Sequence, residues 1–183
     1  MATDNRVALV TGANKGIGRA IVEQLAVAGA TVFLGSRDRA RGQAAVDELS
    51  SSGMDVRLLE LDITDDASVA AAVKSFTEQA DRLDALINNA GAAYGWSTVP
   101  SAEPLDQIKA IYDVNVFGTI RVTQAFIPLL KVAPSANVVM ISSLTGSLTA
   151  AFGSFFWIRW RRRNCLVIGS PSGAAKSSYD ISM

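Results

Sequence analysis

The chain has 183 residues, 49% hydrophobic and 19% charged, which is enough apolar material for one domain with a proper core and too much for a disordered chain. Its 17 basic and 17 acidic residues cancel, so nothing global attracts nucleic acid or an anionic membrane, and neither is an expected partner. Histidine is absent and cysteine occurs once, at Cys165. An intrachain disulfide is therefore excluded, no metal is expected, and a reducing compartment fits. No charged-then-apolar leader and no apolar run of ~20 residues is seen, so the expectation is a cytoplasmic protein.

Taken in order, short apolar runs alternate with helical stretches. Residues 7–10 read as a buried strand, and a helix follows over 16–28, ended by Gly29. The second strand covers 31–34, and a helix covers 38–49 before the turn-forming residues 50–53. Strand three spans 56–61, and an alanine-rich helix with acids at its start spans 66–80. Strand four covers 83–87, one long helix covers 105–130, and strand five covers 137–141. Continuous apolar strands alternating with helices predict a doubly wound parallel α/β sheet of Rossmann type, with its ligand crevice at the carboxyl ends of the strands.

After Ser143 the alternation stops, so this sheet is expected to be incomplete beyond strand five. Residues 1–148 form the predicted dinucleotide-binding domain, and 149–183 form an atypical tail, first rich in Arg and Trp, then in Ser and Gly. The tail from 151 holds five basic residues and one acid, against 12 and 16 before it, and two of the three tryptophans. Its aromatic-arginine cluster at 155–163 raises a nucleic-acid or membrane reading. One short cluster is thin support for either.

The first strand runs directly into Thr11-Gly12-Ala13-Asn14-Lys15-Gly16-Ile17-Gly18. Glycines at 12, 16 and 18 permit a sharp turn and close approach to a pyrophosphate, which the free N–H groups and dipole of the next helix attract. A plain strand-to-helix turn is the alternative, and the position after the first strand of a βα pattern favours the phosphate cradle.

With this turn, four more segments agree in order and spacing: Leu61-Asp62-Ile63-Thr64, Asn88-Asn89-Ala90-Gly91, Asn115 in the long helix, and Ile141-Ser142-Ser143. Together they resemble the short-chain dehydrogenases/reductases, over residues 5 to about 148, and residues 35–43 look like the carbonyl reductase branch. The resemblance implies an oxidoreductase that moves hydride between a nicotinamide cofactor and the carbonyl of a small aldehyde or ketone. By it, Asp62 and the neighbouring Ile63 meet the adenine, while Asn89, Ala90 and Gly91 line the adenosine side. Taken alone, Asp62 is also a helix N-terminal acid, and residues 88–91 a strand-end turn.

Charge at the end of strand two addresses cofactor choice. NAD sites place a carboxylate there for the ribose hydroxyls, whereas here Ser36 stands at that point with Arg37, Lys15 and Arg41 around it. Three cations suit a 2′-phosphate, so NADP(H) is the expected cofactor; solvated surface charge is the alternative for all three. Asp38 is a counter-signal explained as a helix cap.

Asn115 lies on a helix stripe with Ile108, Ile111, Val122 and Phe126, where a polar side chain must find partners. It reads as a buried Asn satisfied by backbone or, by the resemblance, as part of a proton relay. Ser143 matches the serine that polarises the substrate carbonyl, or is an ordinary strand-end hydroxyl. The family completes its chemistry with a tyrosine followed four residues later by a lysine. Here Tyr94, Tyr112 and Tyr179 are followed at that distance by Thr98, Val116 and Met183. The pair is missing from these residues, so catalysis by this chain is not expected, and an NADP(H)-binding pseudoenzyme or sensor is the alternative role. A reading frame shifted shortly after Gly146 accounts for the arginine cluster, because glycine-coding GC-rich DNA read one base out gives arginine codons; it implies a non-functional product. Splicing or truncation is the other explanation. An incomplete sheet predicts an unpaired edge at strand five and marginal stability. Neither the substrate nor the oligomeric state is legible.

Overall fold

The computed structural model describes residues 6–93 and 102–142, together with the backbone of Trp157–Arg161 and Asn164–Ile168. Five strands are parallel: β1 (Val7–Val10), β2 (Thr31–Ser36), β3 (Val56–Glu60), β4 (Ala85–Asn88) and β5 (Asn137–Met140). They stand in the order β3-β2-β1-β4-β5, so the winding reverses between β1 and β4. The crevice of a doubly wound sheet opens at that point.

Alternation along each strand divides the core between two faces. Ala8 and Val10 of β1, with Val32 and Leu34 of β2, pack against Val22 and Ala26 of α1 (Gly16–Val27) and Val46 and Leu49 of α2 (Arg39–Ser50). Leu9 and Phe33 point the other way, toward Phe76 of α3 (Asp66–Thr77) and Val122 and Phe126 of α5 (Thr119–Val132). Phe33, Phe76 and Phe126 form a continuous aromatic contact, with ring centroids 4.3 and 5.5 Å apart and the second pair edge-on. Both faces are therefore covered, as the sequence reading expects.

Local chemistry sets the helix starts. The Asp38 carboxylate accepts from the Arg41 N–H at 3.0 Å and caps α2, while Asp65 caps α3 by accepting from Ala67 N at 2.9 Å. The long helix expected over 105–130 is divided. It consists of α4 (Leu105–Tyr112), a widened π segment (Asp113–Gly118), and α5. Periodicity does not show such a segment, because one extra residue in a turn leaves the apolar spacing of the sequence unchanged.

The expected open edge at β5 is corrected. β6 (Trp157–Arg161) pairs antiparallel with β5, matching Val139 to Arg159, and β7 (Asn164–Ile168) pairs antiparallel with β6. Both segments are rich in aromatic, β-branched and other apolar residues that favour extended backbone, and this local preference operates whether or not a family pattern continues. No helix among the described residues is long and apolar enough to cross a membrane.

Candidate functional site

The turn that ends β1 is shaped from beneath by β4. Thr11 is 1% exposed, and its hydroxyl oxygen accepts from the backbone N–H groups of Asn89 at 3.0 Å and Ala90 at 2.9 Å. In return the Asn89 amide donates to the carbonyl oxygens of Thr11 at 2.9 Å and Gly12 at 3.1 Å. Two loops from opposite sides of the switch point are thereby locked with no buried donor unmet at these positions. Asn89 thus braces the glycine turn, and its side-chain donors are committed to that task. Thr11 stands in the glycine motif with no role legible along the chain; its burial beside two backbone N–H groups is a tertiary signal.

The turn is closed toward the protein and open outward. Gly12 has φ +61°, and a Cβ there would lie 2.8 Å from the Ala90 backbone. At Gly18 a Cβ would meet the Ala13 backbone at 2.9 Å. Gly16, with φ +57°, has open space where its Cβ would be. The first N–H groups of α1 have no intrahelical acceptor, and no side chain caps this helix. A backbone donor cluster at a helix start is the chemistry that attracts an anion. Lys15 and Ile17 are exposed beside it, Ile17 at 65%, and Asn14 is half-buried.

At the end of β2 the charges sort into paired and free. Arg41 meets Asp38 at 3.2 Å and Arg39 meets Glu60 at 3.3 Å. Lys15 and Arg37 are exposed and have no ion pair among the described residues. Ser36 is buried, and its hydroxyl donates to the Asp38 carbonyl at 2.8 Å, so it shapes the corner beneath Arg37. Asp38 serves as the cap the sequence suggests.

The turn after β3 carries Asp62, whose Oδ1 accepts from the Thr64 N–H at 2.9 Å and the Thr64 hydroxyl at 2.7 Å. Partial burial pushes this carboxyl up, but the Thr64 donors and the charges of Arg37 and Arg121 outweigh it and hold it below the usual carboxylate range. The Ile63 side chain is buried in the core under the turn.

On the opposite side of the crevice, Asn115 forms a two-way contact with Ala92 just past β4. Its Oδ1 accepts from the Ala92 N–H and its amide donates to the Ala92 carbonyl, both at 2.8 Å. Backbone satisfaction is as expected, but burial is not: Asn115 lies in the π segment and is exposed, and the preceding α4 buries none of its residues. Gly91, also exposed, lies against it, with a Cβ there 3.4 Å from Asn115 Oδ1. Below, the Asn88 amide donates to Thr123 Oγ1 at 3.1 Å and reaches Met140 Sδ at 3.3 Å, tying β4 to α5 and β5. Ser143, Tyr94 and Tyr179 lie outside the described residues. Among the described residues no three metal-ligating side chains cluster.

A parallel sheet wound 3-2-1-4-5, with a glycine turn and an uncapped helix start at its switch point, defines a Rossmann-type nucleotide-binding fold. The family pattern described as short chain dehydrogenase matches residues 6–156, and the chain belongs to that family of oxidoreductases. Over 154 residues it is 38% identical to a short-chain dehydrogenase/reductase of Aspergillus fumigatus, covering 80% of this chain and 58% of the relative. It is 42% identical over 146 residues to NADPH carbonyl reductase 1 of Macaca fascicularis, covering 79% and 51%. Among solved structures it resembles the Pseudomonas aeruginosa RhlG/NADP active-site complex, with a TM-score of 0.72 and 32% identity over 77% of this chain and 56% of that one. The chain thus spans little more than half the length of these curated relatives.

Proposed function

We propose that this chain is the NADP(H)-binding part of a short-chain oxidoreductase acting on the carbonyl of a small aldehyde or ketone. The observation that carries the cofactor choice is the pair Lys15 and Arg37, exposed and without ion-pair partners among the described residues, at a β2 end occupied by Ser36 rather than a carboxylate. Gly12, Asn14, Gly16, Ile17 and Gly18 would hold the diphosphate side. Ser36, Arg37, Arg41 and Lys15 would hold the 2′-phosphate side, with Arg41 already partly neutralised by Asp38. Asp62 and Ile63 would meet the adenine, with Asn89, Ala90 and Gly91 bracing the floor between them. Bound nicotinamide supplies or accepts hydride. On the carbonyl side, Asn115 positions the backbone past β4, and Ser143 is the proposed hydrogen-bond donor to substrate oxygen. The names of the NADPH carbonyl reductase relative and of the NADP-bound neighbour support this reading.

We further propose that this chain alone binds cofactor without turnover, because no tyrosine here is followed four residues later by lysine. Reduction needs an acid for the developing alkoxide, and that pair is the family's source of it. Titration with NADPH and NADH tests the first reading. Wild type is expected to prefer NADPH, and Lys15→Ala/Arg37→Ala to lose about 10–100-fold of NADPH affinity while NADH changes less than about twofold. Equal affinities in wild type would overturn it. NADPH oxidation with an aromatic aldehyde, followed at 340 nm, tests the second, and steady turnover would overturn that part. The arginine cluster from Arg159, just past the end of the family match at residue 156, supports a displaced reading frame, which translation of the coding DNA in all frames beyond Ser143 decides.

A further inference from the structure

Arg121 of α5 lies just beyond the π segment and is largely buried, with its side chain 23% exposed. Its guanidinium is divided among three groups on two elements. Nη1 donates to the Ile63 carbonyl at 2.7 Å, Nε donates to the Asp66 carboxylate at the start of α3, and Nη2 lies 3.7 Å from Asp113 Oδ1 in the π segment. The same two elements touch directly at Gly118, where a Cβ would come within 2.8–2.9 Å of the Ile63 side chain and carbonyl. A contact this close admits one register only.

We propose that Arg121 is a positioning residue, fixing the Asp62–Thr64 turn against the segment that carries Asn115 and so joining the adenine side of the crevice to its carbonyl side. The proposal rests on the nucleotide-binding reading above for its effect on affinity, but the coupling itself is a property of the free chain. The two surface ion pairs contribute little, since Asp66 is 86% and Asp113 is 45% exposed. What matters is the fork: a planar guanidinium aims its Nη1 and Nε donors in fixed directions at the Ile63 carbonyl and the Asp66 carboxylate, whereas an ammonium gathers its donors at one point and lacks that geometry. The charge also acts on Asp62, where it adds to that of Arg37 in favouring the carboxylate.

Two readouts separate this from a merely structural role. The first is amide exchange at Thr64, whose N–H is held by Asp62, and at Ala92, whose N–H is held by Asn115. In Arg121→Met, both amides are expected to exchange about tenfold faster while Leu9, buried in β1, keeps its protection. Arg121→Lys is expected to fall between, retaining the charge without the fork. The second is NADPH affinity, expected to weaken about five- to tenfold in Arg121→Met and less than about twofold when Asp62→Asn is already present. Faster exchange at Thr64 alone, or uniform loss of protection including Leu9, would overturn the coupling. Unchanged NADPH affinity in a folded variant would remove the functional consequence. Absence of NADPH binding by wild type would instead strike the cofactor reading and leave the exchange experiment to judge the coupling. Should Arg121→Met fail to fold, Arg121→Lys alone decides: exchange and affinity both at wild-type values would sink the proposal.

Discussion

The two sides of the crevice are held in contrasting ways. At the glycine turn, Thr11 and Gly12 exchange four hydrogen bonds with Asn89 and Ala90, between segments 77 to 79 residues apart, around a hydroxyl that is almost wholly buried. At the π segment, Asn115 is tied to Ala92 across 23 residues by two bonds at an exposed side chain. A buried hydrogen bond cannot exchange its partner for water, whereas an exposed one can, so loss of the first kind costs the full desolvation of the group left behind. The glycine-turn side is therefore built to stay put. The side that carries Asn115 is the more adjustable.

That contrast can be broken most severely at Gly12. Gly12→Ala combines a left-handed backbone with a Cβ pressed onto the Ala90 backbone, and should destabilise the chain by about 3 kcal/mol in urea unfolding. A cost below about 1 kcal/mol would show that the two loops are not locked. Next comes Thr11→Val, which keeps the shape but strands the N–H groups of Asn89 and Ala90; about 2 kcal/mol is expected, with faster exchange at both amides. Asn115→Ala should cost only about 0.5–1 kcal/mol, since water replaces the lost partner at Ala92. If Asn115→Ala proves as damaging as Thr11→Val, the distinction between rigid and adjustable sides fails.

The smallest effect is on pH. Asp62 has a folded-state value below its ordinary one, so its contribution to stability is complete above the unfolded value near pH ~4 and fades as pH falls through the folded value. Asp55 behaves alike: burial opposes the shift, and the Thr31 hydroxyl and Arg57 outweigh it. Unfolding midpoints measured between about pH 6 and pH 3 should decline less in Asp62→Asn and in Asp55→Asn than in wild type. An unchanged acid limb in both would mean that these carboxylates keep their ordinary values when folded.

The amino-acid sequence by itself determined the order of β1 to β5, the two-faced core, and the glycine turn before α1, because strand alternation, helix caps and glycine spacing are local properties read along the chain. It also placed the cations at the end of β2. Asp38 takes Arg41 within the first turn of α2, a local pairing, whereas Arg39 reaches Glu60 only once α2 folds back against β3. Tertiary structure likewise decided the π segment. Residues 105–130 carry one helical pattern, yet the stretch Asp113–Gly118 is a π segment, in which Asn115 meets Ala92 and Gly118 meets Ile63. The partner of β5 was settled the same way, because an edge is satisfied by whichever extended segment reaches it, and no periodicity in β5 names that segment.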